Sequence, residues 1–100
     1  MNVDGVKFMD ELLDDELTLG EAVHTIRVTE YSKLKQIEFA ELLGMSKSYL
    51  CDLEHNRKAV SVAKAVDIAK KLKQSKRFFI TLAVQDILRK NSLDYKVQLA

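Results

Sequence analysis

Phe39-Ala-Glu-Leu-Leu-Gly-Met-Ser-Lys-Ser-Tyr-Leu-Cys-Asp-Leu-Glu54 reads as two short helices broken at one glycine, in a chain that has only three. A helix that ends in a left-handed residue places no strain on glycine, whereas a residue with a Cβ costs roughly 1 kcal/mol there. Gly44 therefore marks the stop of one helix, and the chain reverses within three residues. Met45 can pack beneath the turn, and Ser46 is a good N-cap for the next helix, which runs to about His55. Two helices joined at a steep angle by a tight glycine-containing turn are the expected result. In the second of them Tyr49, Leu50 and Leu53 form the inward stripe, which leaves Lys47, Ser48, Cys51 and Asp52 pointing outward near its leading end. That end enters the DNA major groove when such a helix is used for recognition.

Outward from this stretch the pattern stays helical. Leu19, Ala22, Val23 and Ile26 recur at helical spacing, and Thr18 with Glu21 makes a capping box for a first helix over 19–31. Residues 32–35 read as a loop into the second helix, from Gln36 to Leu43, with Ile37, Ala40 and Leu43 as its stripe. Ser61 caps a fourth helix whose stripe is Val62, Ala65, Val66, Ala69 and Leu72, with lysines off it. Ser75 caps a fifth that reaches about Asn91 and is apolar on more than one face, so it needs two partners. Leu93, Tyr95, Val97 and Leu99 alternate with Asp94, Lys96, Gln98 and Ala100, a strand signal. The expected fold is all-α, five helices with a short C-terminal strand. Its expected division is an acidic arm over 1–17, a helix-turn-helix unit over 18–74, and a helix and strand over 75–100.

Composition narrows the function classes. The 100 residues suit one domain, with a net charge of +1. Seven acids face Lys7 alone over residues 1–21, while the remainder carries 15 bases against 8 acids. An acidic arm on a basic body permits nucleic-acid binding by the body. No apolar run approaches the length of a membrane helix and no signal-peptide pattern is present, so a cytoplasmic protein without membrane partners is expected. Cys51 has no disulfide partner, and with His24 and His55 it makes no metal-ligand spacing. Cys51 reads as a small residue beside the recognition surface, and His55 as a helix-terminal residue favoured by the dipole. No glycine-rich phosphate loop, nucleophile and base, or isolated carboxylate pair points to an enzyme, and no cofactor or metal is expected.

From Leu19 to Leu72 the chain resembles the Xre family of helix-turn-helix DNA-binding proteins, which includes the lambdoid phage repressors. The resemblance rests on Gln36 opening the second helix, Ala40, Gly44, Ser46, and the Leu50-x-x-Leu53-Glu54 ending, followed by Asn56-Arg57-Lys58. It implies base reading by Lys47, Ser48 and Asp52 and backbone contact by Gln36, Ser46, Arg57 and Lys58. It also implies an ion pair of Arg27 with Glu54 that ties the first helix to the end of the third. The expected function is a sequence-specific, double-stranded-DNA-binding transcriptional regulator, a repressor-like homodimer that joins the nucleoid when bound. The alternative is the antitoxin of a toxin–antitoxin pair, whose acidic arm or tail covers a small basic toxin. Dimerisation is assigned, from pattern alone, to the apolar surplus of residues 78–88 and the strand at 93–99.

Overall fold

The computed structural model describes residues 17–91, which form five α-helices: α1 Leu19–Glu30, α2 Gln36–Leu42, α3 Lys47–Glu54, α4 Val62–Leu72 and α5 Lys76–Lys90. The acidic arm and the C-terminal strand expected from the sequence lie outside the described residues. Among the described residues no helix is long and apolar enough to cross a membrane.

Each helix begins where a short polar side chain can satisfy the free amides of a first turn. Thr18 and Glu21 form the capping box of α1, Ser46 accepts from the Tyr49 amide, Ser61 from Lys64, and Ser75 from Phe78. The exception is α2, whose N-cap is Lys35. There the Glu38 carboxylate takes the Lys35 amide at 2.7 Å.

Three helices end in the same Schellman geometry. After α2, Gly44 at φ 71° lets its amide reach the Glu41 carbonyl, while the Met45 amide reaches Ala40, both at 3.0 Å. Asn56 at φ 61° does the same after α3, with Arg57 N bonded to Asp52 O at 2.8 Å, and Lys73 at φ 57° after α4, with Gln74 N bonded to Ala69 O at 2.8 Å. Only the first of these stops carries glycine. Gly44→Ala is expected to cost about 1 kcal/mol, and Lys73→Gly to gain a few tenths up to about 1 kcal/mol by releasing the left-handed Cβ. Opposite shifts in the urea midpoint at constant slope check the pair; equal shifts would mean that backbone strain is not what separates them.

The five helices share one core. Leu19 and Val23 of α1, Phe39 and Ala40 of α2, Leu50 and Leu53 of α3, Ile68, Ala69 and Leu72 of α4, and Phe79 and Leu82 of α5 are all at most 1% exposed. Each fully buried Leu, Ile or Phe contributes roughly 1.5–3 kcal/mol relative to exposure. Because α5 packs on α4 and α1 and supplies Phe79 and Leu82, residues beyond 74 belong to the same core as the first four helices.

Two of the expected stripes are corrected. In α2 the inward positions are Phe39, Ala40 and Leu43, whereas Ile37 is 50% exposed. Phe39 fits because its ring meets Tyr31 edge to face at 5.3 Å, and a larger ring at the centre of the bundle buries more area than Ile37 would. In α4 the inward stripe is Ala65, Ile68, Ala69 and Leu72, with Val62 36% exposed and Val66 half-buried. A rotation of the face by one position is enough, since α4 must meet both α5 and the rest of the bundle.

Candidate nucleic-acid interface

The leading end of α3 is held out from the body by what lies behind it. Leu50 and Leu53 are buried against α1 and α2, and Glu54 closes the last turn with a side chain only 2% exposed. Three side chains converge on that carboxylate. Arg27 donates from Nε to Oε2 at 2.7 Å and from Nη2 to Oε1 at 3.0 Å, a bidentate fork. His24 Nδ1 lies 3.3 Å from Oε1, and Gln36 Nε2 donates to the same oxygen at 3.4 Å. Burial pushes the Glu54 carboxyl up, but the hydrogen bonds and charges of Arg27 and His24 outweigh it and hold the group below the ordinary carboxylate value. The same fork raises Arg27. One carboxylate thus links α1, α2 and α3 and orients α3.

Gly20 lets α1 approach α3 this closely. A Cβ on it would collide with the Leu53 carbonyl oxygen and stand 2.9 Å from Asn56 Oδ1. Asn56, whose left-handed backbone ends α3, accepts from the Thr18 hydroxyl at 2.6 Å and so joins that end to the start of α1. Neither role is signalled by local sequence, because both depend on a contact between helices.

At the other end of α3, Lys47 and Ser48 are exposed and make no hydrogen bond or ion pair among the described residues. Ser46 uses its oxygen to cap the helix, accepting from Tyr49 N at 3.0 Å, which leaves its hydroxyl proton to donate outward. Gln36 is half-buried with its amide turned toward Glu54, so in the free protein it serves the ion-pair cluster. Asp52 is engaged too. Arg57 Nε donates to its Oδ1 at 2.9 Å, an exposed pair that also raises Arg57 and brings Arg57 Nη2 within 3.6 Å of Cys51 Sγ. The pairing offsets the charge of Asp52 at this surface. Sequence reasoning misses it, although the spacing of five spans one turn past the helix end.

The flank of α3 is cationic. Lys58 and Lys64 place their ammonium groups 5.6 Å and 5.7 Å from the Tyr49 ring centroid, bracketing a half-buried aromatic with two charges from the α3–α4 turn and from α4. His55 sets its Nδ1 2.8 Å from the Cys51 carbonyl oxygen, a local cap of the helix end. Behind α2, Lys71 Nζ donates to the Leu43 carbonyl at 3.3 Å and pairs with Asp67 at 2.9 Å, which fixes the turn from beneath.

A projecting short helix with an unpartnered polar tip, flanked by cations and a tight turn, has the form of a recognition helix. The helix-turn-helix family model matches residues 32–79, from the turn before α2 into the first turn of α5. No curated protein and no solved structure matches the chain. That family binds DNA and is not a family of enzymes, and the segment it covers, just under half of the chain, holds the turn, Gly44, Ser46 and Glu54; residues 32–79 are similar to a helix-turn-helix DNA-binding domain.

Proposed function

We propose that the protein is a sequence-specific transcriptional regulator that binds double-stranded DNA as a homodimer, with the leading turn of α3 in the major groove. Lys47 and Ser48 read base edges, Asp52 accepts from a cytosine or adenine amino group, and Ser46, Gln36, Arg57 and Lys58 contact the backbone. The observation that carries the reading is the exposed, unpartnered pair Lys47 and Ser48 at the tip of a helix anchored by Leu50, Leu53 and Glu54. Gln36 reaches a phosphate by exchanging its 3.4 Å contact with Glu54, a weak bond to give up.

One recognition helix offers too few base contacts to select a site from a genome, and a two-fold pair solves this by reading half-sites about 34 Å apart. Supporting a dimer, Ile80, Val84, Ile87 and Leu88 of α5 follow i, i+4, i+7, i+8 and are none of them fully buried, with Ile87 37% exposed. This second stripe lies beside the one that enters the core. Ile87→Glu, and separately truncation after Asn91, are expected to lower the mass measured by light scattering; a mass unchanged by both would exclude these elements from the interface. Selection from a random duplex pool tests the larger claim. Enriched sites with two-fold symmetry and half-sites about 10 base pairs apart are expected, and a pool no different from its input would end it.

The antitoxin reading rests on the acidic composition of residues 1–21. Co-purification of the chain with a small basic protein encoded beside it would favour that reading.

A further inference from the structure

Glu54 Oε1 is approached by more donors than it has lone pairs. An ionised carboxylate oxygen offers two, whereas Arg27 Nη2 lies 3.0 Å from it, His24 Nδ1 3.3 Å and Gln36 Nε2 3.4 Å. The Arg27 fork, which also holds Oε2 at 2.7 Å, is the strongest of these and keeps its place. His24 from α1 and Gln36 from α2 are left to share the remaining lone pair. Gln36 has the longest contact of the three, so it is the first to be displaced.

The charge on the imidazole decides between them. A neutral ring with its proton on Nε2 has a bare Nδ1, which can only accept, and Arg27 Nη2 stands 3.4 Å from it as a donor. In that state His24 gives nothing to Oε1, and the Gln36 amide fills the position. The imidazolium donates from both nitrogens, and Oε1 is the carboxylate oxygen that its Nδ1 faces. The His24 side chain is 50% exposed, so the ring takes its proton from water without unfolding. Imidazole changes charge between about pH 5 and about pH 8, and the charges around this one stay fixed over that range. Arg27 on the same helix remains cationic and opposes a second positive charge. Burial pushes Glu54 of α3 up, but its hydrogen bonds to Arg27 and His24 hold it below the ordinary carboxylate value, so it stays ionised and favours that charge. Glu21, a turn earlier on α1, accepts from the Thr18 amide at 3.0 Å. From α2 comes the neutral Gln36 amide, and Asp86 of α5 meets α1 at Leu19, away from the ring.

We infer that His24 is a positioning residue for DNA contact: its protonation places the Nδ1 proton on Glu54 Oε1 and turns the Gln36 amide out toward a phosphate. The second step rests on the reading of Gln36 as a backbone contact given above, whereas the exchange at Oε1 does not. Affinity then rises as pH falls, on operator and random duplex alike, because a phosphate contact carries no base information.

Nitrogen–proton correlation NMR of the full chain without DNA tests the exchange. The Gln36 side-chain amide is expected to shift between about pH 8 and about pH 5.5 with the same midpoint as the His24 ring. In His24→Gln, whose side chain does not titrate, it should hold still. A Gln36 amide that ignores pH in the parent, or that still titrates in His24→Gln, would overturn the exchange. Duplex affinity over the same range tests the consequence. On acidification the parent should gain about two- to fivefold more than His24→Gln, the equilibrium factor of one weak hydrogen bond. His55 is present in every variant and cancels in the comparison. In a Gln36→Ala background the excess should vanish; an excess that survives there would assign the effect to the bare charge of the imidazolium and refute the positioning role. An amide that shifts as expected in a chain that binds no duplex at any pH would sink the regulator reading and leave the exchange at Oε1 standing.

Discussion

Glu54→Ala is expected to lower the unfolding free energy by about 3 kcal/mol. The side chain is 2% exposed and its Arg27 partner 19%, so removing the carboxylate leaves a mostly covered guanidinium with two unsatisfied donors, and His24 and Gln36 lose their contacts as well. Breaking such a pair from one side costs about 3–5 kcal/mol, far more than the 0–1 kcal/mol of a solvated surface pair. Arg27→Ala should cost nearly as much, because the carboxylate is then buried alone. Replacing both by Met and Leu should cost less than either single change, which a double-mutant cycle in urea would measure. A loss below about 1 kcal/mol for Glu54→Ala would mean that the cluster behaves as a surface pair.

The pH dependence follows with a definite sign. Glu54 titrates below its ordinary value in the folded chain, so its contribution is present at pH values above the ordinary carboxylate range and disappears as pH falls through the folded value. The variant Glu54→Gln should therefore show a flatter decline in stability on acidification than the parent. Because α1, α2 and α3 are tied through this one group, its loss should also weaken binding to every DNA, cognate or not.

Lys47→Ala with Ser48→Ala is expected to do the reverse: discrimination falls and stability does not. Both side chains are exposed and bonded to nothing among the described residues, so their removal should leave the melting temperature within about 2 °C, the effect of a few tenths of a kcal/mol. If each contributes one base contact worth about 1–3 kcal/mol, the pair is worth about 2–6 kcal/mol, and preference for the selected operator over random duplex should fall by about 30-fold to about 10⁴-fold. Affinity for random duplex should drop only by the single phosphate-range charge of Lys47. Equal losses on both DNAs would remove base reading from these residues and leave them as backbone contacts. The two experiments together separate a residue that positions α3 from residues proposed to read bases.

Much of the candidate site was legible because it is local. Ser46 accepts from an amide three residues on, and Gly44 closes a turn over five residues, so both signals lie within one helical turn. Arg27 and Glu54 were reached only through the family resemblance, since 27 residues separate them and nothing in either neighbourhood names the other. The pairing of Asp52 with Arg57 was within reach of spacing, but helical periodicity stops at His55, and the left-handed turn at Asn56 that brings Arg57 back is carried by a residue tolerant of many conformations.

From the amino-acid order alone came the five helices of the described residues, their starts at Thr18, Ser46, Ser61 and Ser75, and the break at Gly44, because caps and left-handed stops are satisfied by neighbours three to five residues away. Packing decided which apolar residue of each helix faces inward, Phe39 over Ile37 and Ile68 over Val62, since a helix with a broad apolar surface has no preferred rotation until its partners are in place. Packing also gave Gly20 its purpose and set Asp86 on the Leu19 amide across 67 positions. Such contacts depend on distances between helices, and those exist only once the chain has closed on itself.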